Sequence, residues 1–147
     1  MFNRKEDGMF LLTTENSFDA AHFLAGYQGK CANLHGHRWR VVVDINGEQL
    51  EAQGQLRGML MDFGDIKEEV KKVTDAFDHS FIYETGTLRE KTLEAMREEG
   101  FLMHEVAFRP TAENFAKYFY LQLKQMEYPV CKVTVYETPN NCAAYYE

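Results

Sequence analysis

The stretch His37-Arg-Trp-Arg-Val-Val-Val-Asp-Ile-Asn-Gly47 has an apolar period of two. His37, Trp39, Val41, Val43 and Ile45 fall on one side; Arg38, Arg40, Val42, Asp44 and Asn46 fall on the other. That alternation is the mark of a half-buried strand, and Asn-Gly is a natural stop for it. Just before it, Cys31-Ala-Asn-Leu-His-Gly-His37 runs from a loop into the same strand, so His35 shares the core side with His37 and Trp39. Gly36 between the two histidines adds no bulk on the other side.

The segment before it, Met9 to His22, keeps Leu12, Phe18, Ala20 and His22 on one parity and reads as a first strand, followed by a Gly-containing loop over residues 23–34. Further on, Phe63, Ile66, Val70, Val73 and Phe77 recur at spacings of three and four, the stripe of an amphipathic helix that Asp62 or Asp65 would cap. A charged insert around residues 87–100 carries a short surface helix ended by Gly100. A second main helix begins at Thr111, its N-cap, directly after Pro110. Residues 130–138 form a third strand with Cys131, Val133, Val135 and Glu137 on one face, and Cys142 to Glu147 a fourth beyond Pro139, Asn140 and Asn141. The order ββααββ predicts an α+β fold: a four-stranded antiparallel sheet with two helices on one face.

Bulk properties narrow the function classes. The chain has 147 residues, enough for one core, and is expected to form a single domain over 1–147. Its formal charge of -7 and dispersed basic residues argue against nucleic acid. No apolar run approaches the roughly 20 residues of a membrane span. The first ten residues lack an export signal, so a cytoplasmic location is expected. Three cysteines, an odd number without C-x-x-C spacing, point to reduced thiols. An anionic small molecule would have to be met by local positive groups, of which a metal ion is one.

Two imidazoles projecting in parallel from one strand face can bind one ion, or can simply decorate a strand edge. His22 on the matching parity moves the reading to a metal. Three neutral nitrogens with an open position form the ligand set of a catalytic zinc. Cys31, in the loop beside that strand, would be a usable base near a divalent cation, although a lone cysteine is ordinarily packing. Asp78-His79 at the end of the first helix forms either an acid-base pair or a solvated helix end. Glu137 aims a carboxylate toward the core and needs either a cation or a ligand with adjacent N–H donors. Glu113 reads as a surface residue favoured by the helix dipole.

Together FDAAHFL, C-x-x-x-H-G-H, GMLMDFGDIK, FDH, PTAEN and YET resemble the 6-pyruvoyl-tetrahydropterin synthase and 6-carboxytetrahydropterin synthase family, from about residue 18 to the end. The resemblance implies a T-fold whose subunits associate into a barrel-forming trimer, usually stacked as a hexamer. It implies Zn2+ on His22, His35 and His37, with Cys31 as base and Asp78 and His79 completing a proton-transfer group from a neighbouring subunit. Glu137 would anchor a pterin, with Thr111 and Glu113 assisting nearby.

The reading CANLHGH resembles the 6-carboxytetrahydropterin synthase branch of the queuosine pathway, a lyase acting on 7,8-dihydroneopterin triphosphate with loss of triphosphate and acetaldehyde. The alternatives are the sister 6-pyruvoyl activity, a non-catalytic zinc- and pterin-binding module, and a zinc-hydroxide hydrolase. Phe77 and Tyr83 depart from the family pattern, and the stretch from Glu84 to Arg109 is longer than the family leads one to expect.

Overall fold

The computed structural model describes residues 8–147; the N-terminal stretch read for an export signal falls mostly in residues 1–7, outside the described residues. Strands β1 (Phe10–His22) and β2 (His35–Gly47) pair antiparallel in one unbroken register, from Phe10 opposite Gly47 to His22 opposite His35. β5 (Val130–Thr138) joins β2 and β6 (Asn141–Tyr146) joins β5, both antiparallel.

Two helices cover one face of these strands. Helix α1 (Phe63–Asp75) packs on β1, and α3 (Ala112–Gln125) on β5 and β6. Their starts follow the expected capping chemistry: Asp62 accepts from the Gly64 N–H, and Thr111 Oγ1 from the Asn114 N–H. The four strands and two helices expected from the periodicity therefore form the T-fold unit.

Residues 80–106 add more than the surface helix expected there. They form β3 (Ser80–Glu84), α2 (Glu90–Glu98) and β4 (Met103–Val106), and the sheet runs β4-β3-β1-β2-β5-β6 with β3 and β4 parallel to their neighbours. The sheet is thus six-stranded and mixed, with three α-helices rather than two among the described residues. Ser-Phe-Ile-Tyr-Glu shows no alternation because both its faces are covered. Ile82 enters the main core, while Phe81 and Tyr83 pack with Leu93 of α2, Ala21 and Phe23 on the other side. A strand buried on both faces reads as a continuous apolar run.

The main core lies between α1, α3 and the sheet. Phe18, Trp39, Phe77, Phe115 and Phe119 interlock there, with Phe18 and Phe77 rings 5.8 Å apart and Trp39 and Phe115 5.1 Å apart. Trp39 is fully buried, and its indole N–H donates to Ala20 O at 3.3 Å, so its one polar atom is paired. No helix among the described residues is long and apolar enough to cross a membrane.

Candidate metal centre and active site

Register places the three histidines. His22 faces His35 directly across β1 and β2, and His37 follows on the same side, next to Ala20. Two of the rings pack edge-on to Trp39, His22 at 4.9 Å and His37 at 5.4 Å, and His35 packs on those two at 4.6 and 4.8 Å. Glu137, at the end of β5, completes the group. One ligand atom from each of His22, His35, His37 and Glu137 lies within 4.8 Å of all the others.

The hydrogen bonds behind the rings decide what the front can do. His22 Nδ1 lies 2.8 Å from Pro110 O, and His35 Nδ1 lies 2.7 Å from Asn33 O. A carbonyl oxygen can only accept, so both Nδ1 atoms carry the proton, and in the neutral rings both Nε2 atoms present lone pairs. Those Nε2 atoms are 3.1 Å apart. Two lone pairs held face to face are mutually repulsive, and a shared cation turns the repulsion into two bonds. Nitrogens about 2.0–2.1 Å from a tetrahedral ion stand roughly 3.3 Å apart, close to the observed spacing.

His37 adds a third donor. Its Nε2 is buried and makes no hydrogen bond; it lies 3.2 Å from Glu137 Oε1, close enough for an ion pair but misdirected for an N–H···O bond. An orphaned buried nitrogen beside two convergent ones fits a divalent ion.

Electrostatics agree. Burial pushes His22 down from 6.5 to about 4, helped by its neighbours His35 and His37 and opposed by the bond to Pro110. Burial also lowers His37, with Glu137 opposing. Neutral imidazole is the form that ligates.

The remaining candidates are distributed around this group. Cys31 sits half-buried in a 3-10 turn, Lys30–Ala32, with its carbonyl accepting from the Leu24 N–H at 2.9 Å. Asp78 and His79 lie in the turn beyond α1 rather than at its last residue. Asp78 Oδ1 accepts from the Asp19 N–H at 2.9 Å, and His79 N–H donates to Asp19 O at 2.7 Å. His79 Nδ1 is 2.9 Å from Asp78 Oδ2. The Asp19 N–H, then His79, hold the Asp78 carboxyl below the usual carboxylate range.

The His79 side chain is 79% exposed and its backbone is left-handed, φ 57°. It lines an open cleft of about 410 Å³ together with Asp19, Arg38 and His37. The cleft thus runs from His79 to His37 of the metal group, while neither Cys31 nor His79 is part of the four-residue group. Glu137 and His37 also border a larger cleft of about 460 Å³ with Arg38, Arg40 and Tyr136. Thr111 uses its hydroxyl to cap α3, and Glu113 is exposed in the first turn.

The carbonyls of Asn33 and Pro110, which orient two of the rings, had no readable sign in the sequence. A backbone acceptor leaves no residue type to recognise, although Pro110 before the Thr111 cap marked the place.

A 6-carboxy-5,6,7,8-tetrahydropterin synthase of Haemophilus influenzae is 39% identical over 142 residues, covering 95% of this chain and 100% of that protein. One of Rickettsia bellii is 34% identical over 142 residues, covering 90% and 96%. The solved 6-pyruvoyl tetrahydropterin synthase of Caenorhabditis elegans superposes with a TM-score of 0.67 at 28% identity, covering 95% of this chain and 96% of that one. The family model for 6-pyruvoyl tetrahydropterin synthase matches residues 11–147, and with these relatives it shows that the chain belongs to that family of tetrahydropterin synthases.

Proposed function

We propose that residues 1–147 form one T-fold domain acting as a zinc-dependent 6-carboxy-5,6,7,8-tetrahydropterin synthase. The substrate is 7,8-dihydroneopterin triphosphate, triphosphate and acetaldehyde are lost, and the place in metabolism is the queuosine pathway. The enzyme works in the cytoplasm as a trimer or a dimer of trimers. The observation that carries the reading is the pair of Nε2 lone pairs held 3.1 Å apart beside the orphaned His37 nitrogen. The Haemophilus influenzae relative, matched over its whole length, supports the choice of product.

His22, His35 and His37 would hold Zn2+, which when bound supplies a Lewis acid for the substrate side-chain oxygens. Cys31 removes a carbon-bound proton. Asp78 orients His79 through the 2.9 Å contact to Nδ1, leaving Nε2 to pass a proton. As the family resemblance implies, the pair serves the site of a neighbouring subunit. Glu137 offers a carboxylate to adjacent N–H groups of the pterin edge, with Thr111 and Glu113 bordering that region.

The test is the product mass after incubation of metal-loaded protein with 7,8-dihydroneopterin triphosphate. The mass of 6-carboxytetrahydropterin is expected. The 6-pyruvoyl product would select the sister activity, and no turnover with bound metal would leave only the binding module. Cys31→Ala is expected to lose turnover while retaining metal and oligomeric state.

A further inference from the structure

One basic side chain is placed unlike the rest. Among the described residues, Arg109 is the one lysine or arginine that is not exposed and has no carboxylate at ion-pair distance. Its Nε is buried without a partner. A guanidinium taken partly out of water without a counter-charge is costly, so its retained contacts should matter.

Those contacts all go to the loop that carries Cys31. Arg109 Nη2 donates to Ala25 O at 2.9 Å, and the guanidinium stands 5.7 Å from the centre of the Tyr27 ring. Each contact leads on to the sulfur's own turn. The Leu24 N–H, adjacent to Ala25, donates to Cys31 O at 2.9 Å. The Tyr27 ring lies over Gly29, where an added Cβ would stand 2.7 Å from Tyr27 Cε1, and Gly29 O closes the 3-10 turn by accepting from the Ala32 N–H at 3.1 Å.

The other end of the same dipeptide holds the metal group. Pro110 O accepts from His22 Nδ1, and Arg109 O is fixed by Asn114 Nδ2 at 2.9 Å and the Thr111 N–H at 2.7 Å, at the start of α3. Arg109-Pro110 therefore grips His22 by its backbone and the Cys31 loop by its side chain.

We propose that Arg109 is a positioning residue that sets the Cys31 sulfur relative to the histidine group. The proposal rests on the reading of Cys31 as the base. The planar fork of Arg reaches carbonyl and ring together; a lysine ammonium keeps the charge but cannot do both. A displacement of about 1 Å in a reacting group costs on the order of 10²-fold in rate.

The test uses full-length, metal-loaded Arg109→Met, Arg109→Lys and Tyr27→Leu. Three readings are taken: steady-state kinetics with 7,8-dihydroneopterin triphosphate, metal content, and the iodoacetamide alkylation rate of each cysteine resolved by peptide mass spectrometry. Arg109→Met is expected to lower kcat by about 10- to 100-fold with KM and metal content near wild type, and Arg109→Lys and Tyr27→Leu by about 3- to 10-fold. Cys31 alkylation should shift at least about threefold while Cys131 and Cys142, outside the loop, keep their rates.

Wild-type Cys31 alkylation in folded, metal-loaded Arg109→Met overturns the proposal, as does a rise in KM with kcat unchanged, which would make the guanidinium a substrate contact. Should Arg109→Met fail to fold, Arg109→Lys and Tyr27→Leu decide on the same readings. If Cys31→Ala turns over like wild type, the reading of Cys31 as base fails instead, and the alkylation rates still report whether Arg109 places the sulfur.

Discussion

His22 and His79 are the same side chain in opposite surroundings. His22 is fully buried, its Nδ1 proton committed to Pro110 O, its pKa driven down to about 4. His79 is largely exposed, sits on a left-handed residue and faces a carboxylate at 2.9 Å. Burial without a negative partner makes an imidazole a ligand, because the neutral form is the one that survives desolvation. Exposure beside a carboxylate leaves the other imidazole free to reach a substrate, the place the proposed proton carrier needs. The sequence already separates them: His22 lies on the apolar parity of the first strand, and His79 follows Asp78 beyond a helix.

Removing a ring from the buried group should have the largest effect. His35→Ala breaks the face-to-face pair of nitrogens, and we expect near-complete loss of bound metal by elemental analysis, with turnover down about 10³-fold or more. If His35→Ala retained stoichiometric metal, the contrast between ligand and carrier would be wrong at its root.

Changing the exposed partner should be milder and of a different kind. His79→Asn should lower kcat by about 10²- to 10⁴-fold while metal content stays at the wild-type level. Equal metal loss in His79→Asn and His35→Ala would erase the distinction.

The smallest effect is on stability. His22 binds a proton in the unfolded chain near 6.5 but in the fold only near 4, so the unfolded state takes up more protons in between. The stability that neutral His22 contributes is fully present above about pH 6.5 and is lost as pH falls toward about 4. Urea midpoints of metal-stripped protein should fall over that window, and His22→Gln should flatten the fall. A midpoint independent of pH from 7 to about 4 would contradict the assigned neutrality of the ring.

Much of this site was legible because it depends on periods and caps. The parity of His22, His35 and His37 is a property of strands, and the pairing of β1 with β2 converts it into convergence. Thr111 and Asp62 cap their helices as their residue types demand. Glu137 on the apolar parity of β5 signalled a carboxylate in need of a partner, and His37 is beside it.

What escaped was structure that leaves no period. Phe81, Ile82 and Tyr83 are covered on both sides, so β3 carries no alternation to detect. The anchoring of Asp78 and His79 to Asp19 is a backbone matter that joins residues 59 apart, and no residue type records it. Arg109 went unnoticed because a single arginine before a proline resembles any loop cation until its contacts are known.

The long register of β1 against β2 has one further result. A deletion of a single residue between Phe18 and His22 would leave the strand ladder able to close again, yet it would turn His22 to the side where Ala21 now points. The loop over residues 23–34 can grow or shrink without that penalty. The convergence of the three rings is therefore guarded by counting: the strands tolerate exchanges of residue far better than a change in their number.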